Sequence, residues 1–141
     1  MFRKKINTAQ TEISSLIGIG TQIMGDINFS GGLRIDGRVR GNITAMGDKF
    51  SSLALSDNAS IEGEIYVSHA VINGTVIGPV HAVECLELQA KARVSGDVYY
   101  RALEIQLGAA IEGVLVHQDH QDRINKSDQE KVPELAPTSD N

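Results

Sequence analysis

A chain of 141 residues with 41% hydrophobic content can enclose one core and is too short for two domains of ordinary size. Its formal net charge of -5 excludes a whole-protein electrostatic attraction to nucleic acid, so no nucleic-acid partner is expected. Three prolines, fourteen glycines, no tryptophan and 4% aromatics leave Ile, Val, Leu and Ala to build a core of short strands joined by tight turns.

The chain opens Met1-Phe2-Arg3-Lys4-Lys5, two apolar residues followed by three cations. That pattern suits an anionic bilayer surface: burying the Phe ring contributes about 1.5–3 kcal/mol and each cation near the surface about 1 kcal/mol. One such tail binds weakly, but many carried on one polymer bind by avidity. Phe2 stands where myristoylation requires glycine. Residues 6–15 are too polar for the apolar heart of a signal peptide, and no run approaches the roughly 20 apolar residues of a spanning helix. With Cys85 as its single cysteine the chain has no internal disulfide and no Cys-based zinc site. A cytoplasmic location, peripheral on the inner face of a membrane, is expected, with residues 1–15 as a disordered tail.

From residue 16 a repeat takes over. Glycine flanked at −2 and +2 by an aliphatic recurs at Gly25, Gly41, Gly63, Gly78, Gly96 and Gly113. The −2 positions are Ile23, Val39, Ile61, Val76, Val94 and Ile111; the +2 positions are Ile27, Ile43, Ile65, Val80, Val98 and Leu115. Upstream, an apolar-x-apolar pair opens each unit: Ile17/Ile19, Leu33/Ile35, Leu53/Leu55, Ala70/Ile72, Leu86/Leu88 and Leu103/Ile105. Three units carry the pair at −10 and −8 and three at −8 and −6, a two-residue difference that keeps inward side chains inward. Alternation with period two predicts three short strands per unit. Coils stacked at about 4.8 Å then form a triangular parallel β-helix of about six coils, a rod about 29 Å long.

One coil alone cannot bury its inner face; its neighbours complete the core. The glycine marks a corner, and the small residues at −4 (Thr21, Gly37, Ala59, Gly74, Ala92, Ala109) mark a second tight corner. The long interval between Gly41 and Gly63 holds an insertion near Gly47–Ser52, expected to loop off the rod with Phe50 folded back on the surface or held out as a contact. The β-helix domain spans residues 16–117. Residues 118–141 are polar with both late prolines and are expected to be a disordered tail.

A rod of this kind needs caps to stay alone, yet no amphipathic helix precedes Ile17 and polar sequence follows Val116 at once. Both ends are therefore expected to pair with further copies. The candidate polymerisation contacts are Leu16, Ile17, Ile19, Ile23 and Ile27 at the first coil, and Leu103, Ile105, Leu107, Ile111 and Leu115 at the last. The candidate membrane-binding residues are Met1, Phe2, Arg3, Lys4 and Lys5.

The stretch Ser15-Leu16-Ile17-Gly18-Ile19-Gly20-Thr21, with Met24-Gly25-Asp26-Ile27, Phe29-Ser30-Gly31 and Leu33-Arg34-Ile35-Asp36-Gly37, resembles the bactofilins, bacterial cytoskeletal proteins. The resemblance implies a right-handed β-helix and filaments without overall polarity, assembled through both rod ends without nucleotide. It further implies the inner membrane and cell-wall synthesis or remodelling enzymes as partners.

Other constellations point away from catalysis. His69, His81 and His117 sit at +6, +3 and +4 from their glycines, in three columns sharing no face, and His120 lies in the tail. They predict no metal site. Glu62, Glu64, Asp97 and Glu112 flank corner glycines and are expected to point outward as a solvated edge. Glu87 and Glu104 fall in one outward column, where like charges repel and nothing in the sequence compensates them. Cys85 is expected to be inert. The strict six-residue rhythm of a β-helical acyltransferase is missing, and no phosphate loop occurs. No catalytic residue and no cofactor is expected. A non-polymerising β-helical binding module is the alternative to the scaffold, with the acyltransferase-like enzyme third.

Overall fold

The computed structural model describes residues 13–47 and 50–118, and within them every strand pairing is parallel and no helix occurs. The first coil runs β1 (Ser15–Ile17), β2 (Gln22–Met24), β3 (Ile27–Phe29), and the second β4 (Gly31–Ile35), β5 (Arg38–Arg40), β6 (Ile43–Ala45). The third begins with β7 (Ser51–Leu55) and β8 (Ser60–Glu62). From there β9 (Ile65–Ile72), β11 (Val80–Leu88) and β13 (Val98–Ile105) bend round an edge, each closing one coil and opening the next. A register shift between Ala82 and Cys85 marks the bend in β11. The second-face strands β10 (Thr75–Ile77), β12 (Arg93–Ser95) and β14 (Ala110–Glu112), with β15 (Leu115–His117), complete six coils.

Stacking places equivalent residues in columns. Val39, Ile61, Val76 and Val94 stack on the second face, and Ile43, Ile65, Val80 and Val98 on the third. All eight are closed to solvent, each contributing about 1.5–3 kcal/mol by burial. The expectation for the −2 and +2 positions holds through the interior.

The opening pair differs in the first coil. Ser15 and Ile17, not Ile17 and Ile19, take the register of Leu33 and Ile35. Ile19 lies in the turn after β1 and is 74% exposed. Four units therefore have the longer first turn and two the shorter. Ser15 hid the true pair because a polar residue occupies that inward column at its open end.

The glycine corner is closed by backbone. A Cβ on Gly41, Gly63, Gly78, Gly96 or Gly113 would land on the carbonyl of the corner glycine one coil earlier. One residue on, Asp26 Oδ1 accepts the Asn42 N–H at 2.8 Å and Asn42 Oδ1 accepts the Glu64 N–H at 2.9 Å. Pro79 has no N–H to continue this ladder; Glu64 turns instead to His81 Nε2 at 2.7 Å. The ladder resumes where Asp97 Oδ1 accepts the Val114 N–H at 3.0 Å.

Asp48 and Lys49 of the insertion lie outside the described residues, and at its exit Phe50 folds back on the surface. Phe50 lies with its ring centroid 4.3 Å from that of His69. Ser51, itself buried, donates its N–H to Ser68 Oγ at 2.8 Å, and Ser68 returns its own N–H to Ser51 Oγ at 2.9 Å. This paired exchange fastens the exit of the insertion to β9.

Candidate assembly surfaces

The two ends of the rod share one property. β1, β2 and β3 pair only with the second coil, while β14, β15 and the second half of β13 pair only with the fifth. Among the described residues each terminal coil thus keeps a row of backbone donors and acceptors with no strand beyond it. The core opens at the same places. Ile17, Ile23 and Ile27 at the first coil and Leu103 and Ile111 at the last are only partly buried. Ile105 is 46% and Leu115 43% exposed, though both continue columns that are closed one coil inward.

The remaining candidates stand differently. Leu16 shares a register column with Arg34 and is exposed, and Leu107, at the tip of the last first-to-second-face turn, is 96% exposed. Leu16, Ile19 and Leu107 therefore fringe the ends instead of filling the opened core. Val114 belongs with them: it occupies the column of Asp26, Asn42, Glu64, Pro79 and Asp97, and is exposed. The sequence reading passed over it, although an aliphatic replacing polar residues in that column was the available signal. At the first coil a Cβ on Gly25 would meet nothing within 4 Å, so the corner that is filled in every later coil lies open. Met1, Phe2, Arg3, Lys4 and Lys5 lie outside the described residues.

The sides carry paired charge. Arg40 Nε meets Glu62 Oε1 at 3.2 Å, Lys91 Nζ meets Asp57 Oδ2 at 3.3 Å, and Arg101 meets Glu84 Oε1 at 3.2 Å. These exposed pairs contribute little, about 0–1 kcal/mol each. Glu87 and Glu104 do face each other across β11 and β13. The side-chain amides of Gln89 and Gln106 donate to Glu87 Oε2 at 3.2 and 3.4 Å, which answers the repulsion. Burial pushes the Cys85 thiol up, with Glu87 and Glu104 adding to it, which disfavours a reactive thiolate.

Two arrangements have the residue types of chemistry. Ser68 Oγ lies 2.9 Å from His69 Nδ1, yet its hydroxyl also donates to the Ser51 carbonyl at 2.6 Å, and a proton held there is not available to a base. Burial holds His69 below the ordinary 6.5, opposed by the Glu84 charge and the Ser51 backbone. His81 and His117 both lie on the third face, contrary to the reading that the histidines share none; they occupy neighbouring columns, those of Tyr99 and Tyr100. No group of three potential metal ligands comes together among the described residues.

The second arrangement was missed from sequence. The +3 column of the third face runs Asn28, Thr44, Tyr66, His81, Tyr99 and Val116. The His81 ring stacks between Tyr66 at 5.1 Å and Tyr99 at 4.5 Å. Comparing neighbours at +3 would have revealed it, as it did for the −2 and +2 columns.

Residues 15–116 match the family model described as "Bactofilin: Polymer-forming cytoskeletal". Two curated proteins of Myxococcus xanthus (strain DK1622) are similar. Bactofilin BacP is 24% identical over 110 residues, covering 78% of this chain and 44% of that protein. Bactofilin BacO is 32% identical over 111 residues, covering 79% of this chain and 82% of that protein. The chain therefore spans less than half of the one relative and most of the other. No solved structure matches the chain.

Proposed function

Because the chain belongs to the bactofilin family of polymer-forming cytoskeletal proteins, we propose that it is a scaffold assembling end to end, without nucleotide, into non-polar filaments. These lie on the cytoplasmic face of the inner membrane and organise cell-shape or cell-wall machinery. The carrying observation is the pair of terminal coils whose strand edges and half-open aliphatic columns have no neighbour among the described residues. A second copy satisfies the backbone groups and continues the core in one step. No nucleotide enters this scheme, because burial and strand pairing supply the driving force. The scaffold acts without catalysis; its products are position and multiplicity.

Leu115→Arg places a cation on the half-open last coil while leaving the interior untouched. The expected outcome is a folded rod with native circular dichroism and no filaments by negative-stain electron microscopy. Filaments of normal length from this variant remove the last coil from the junction. Compact single particles from the unsubstituted chain would favour a non-polymerising binding module, and acyl-coenzyme A turnover by compact trimers an enzyme. Membrane attachment is assigned to Met1-Phe2-Arg3-Lys4-Lys5. Deleting residues 2–5 should reduce co-sedimentation with anionic liposomes at least tenfold, and full retention would end that assignment.

A further inference from the structure

We propose that the second and third faces of the rod form a lateral contact between copies of this chain, with neighbouring rods antiparallel. The contact uses only the sides of the rod, so it stands independently of how the ends assemble.

The two faces carry opposite charge. In its outward columns the second face, built from β2, β5, β8, β10, β12 and β14, holds Arg38, Arg40 and Arg93 against Glu62 and Glu112. The two outward columns of the third face next to the glycine corner hold Asp26, Glu64 and Asp97 and no Lys or Arg. Among the described residues Arg38 is exposed and forms no ion pair. Asp97 is exposed too, and accepts the Val114 N–H with Oδ1, which leaves Oδ2 for a partner. Each face also leaves apolar surface to solvent: Met24 and Ile77 on the second, Tyr66 and Val114 on the third.

Register decides the orientation. With rods parallel and the six coils in full overlap, coils of equal number meet and the strands of the two faces run antiparallel. Glu62 then falls on Glu64 and Met24 on Asp26, and no arginine meets a carboxylate. With one rod inverted the strands run parallel, and the first coil meets the sixth, the second the fifth and the third the fourth. Arg38 then faces Asp97, Glu62 faces His81, Ile77 faces Tyr66 and Met24 faces Val116. Like charges never coincide, because Glu112 falls on Asn28 and Asp26 on Ala110.

A contact between two different faces does not close on itself. Upright and inverted prisms alternate in a flat strip, with their first faces outward on alternate sides. A face about five residues wide and six coils long measures about 16 by 29 Å, so one contact buries about 900 Å² in total, the range of weak interfaces. Repetition along a polymer sums many such contacts.

Thr44 and Ser95 are exposed, and the inverted register sets them opposite each other. Sheets packed face to face lie about 10 Å apart, within reach of a short bismaleimide joining two cysteines. The full-length chain carrying Thr44→Cys, Ser95→Cys and Cys85→Ser is to be cross-linked at low salt. The expected result is a ladder of dimers and longer species joined between positions 44 and 95, with monomers only when either new cysteine stands alone. Arg38→Gln and Asp97→Asn, the latter keeping an oxygen for the Val114 N–H, should each reduce the cross-linked fraction about fivefold. Together they should reduce it no further, because they remove one shared pair. In the Leu115→Arg background the 44–95 link should persist at lower yield with the same sensitivity, which separates side contacts from end assembly. Absence of that link in both backgrounds overturns the proposal. So do losses that multiply in the double variant, and so does cross-linking through one new cysteine alone, which would place like faces together.

Discussion

Leu88 and Ile105 occupy one column of the same sheet, one coil apart, yet Leu88 is closed to solvent and Ile105 is 46% exposed. Nothing in their local sequence distinguishes them: each follows a Leu-Glu dipeptide on the first face. What differs is the next coil, present for Leu88 and, among the described residues, absent for Ile105. In a stacked rod burial belongs to a residue's neighbours along the axis, so the described coils leave the core half-open at both ends. The same contrast appears at the corner, where Gly41 sits against the Gly25 carbonyl and Gly25 against nothing.

Breaking an interior corner is expected to have the largest effect. In Gly63→Ala the new Cβ meets the Gly41 carbonyl carbon and oxygen, which as backbone can shift only by parting two coils. A loss of roughly 3 kcal/mol or more is expected in chemical denaturation, and an unchanged midpoint would show that the corner is not close-packed. Truncation within one column sharpens the comparison. Leu88→Ala should cost about 2–5 kcal/mol, whereas Ile105→Ala should cost less than about 1.5 kcal/mol in unassembled protein, since half its surface is already wet. In assembled protein the gap should narrow. Equal costs in the unassembled state would contradict the open end.

The smallest effect is expected on the flank, at His69. Burial lowers its pKa below 6.5, so the unfolded chain takes up the proton first as pH falls. Stability should therefore be constant above about pH 6.5 and decline below it, towards the folded-state pKa. His69→Gln should flatten that limb of the pH profile relative to the unsubstituted chain, and an identical slope would assign the loss to other groups.

The interior columns were legible because period-two alternation and a glycine every 15–22 residues leave one register that buries all the aliphatics. The first coil was misread at one pair. At an open end Ser15 costs nothing in an inward column, so the apolar pattern that locates strands elsewhere fails there. Charge compensation at Glu87 was invisible for another reason: Gln89 and Gln106 reach it through turns whose direction period-two alternation does not specify. The aromatic ladder is a property of stacking, with its members 15 and 18 residues apart, and emerges only when coils are aligned by register. The terminal contacts were legible as a list of aliphatics but not as two classes, because core-completing Ile105 and Leu115 and outward-facing Leu16, Ile19 and Leu107 look alike in a linear pattern.

Rods that complete one another should associate without nucleotide, and sedimentation velocity of the purified chain tests this most directly. Across a concentration series in moderate salt, the full chain and a version limited to residues 13–118 should both form large species that Leu115→Arg reduces to single rods. A tail-trimmed rod that remains a lone 13–118 particle at the highest concentration would show that its open coils need no partner.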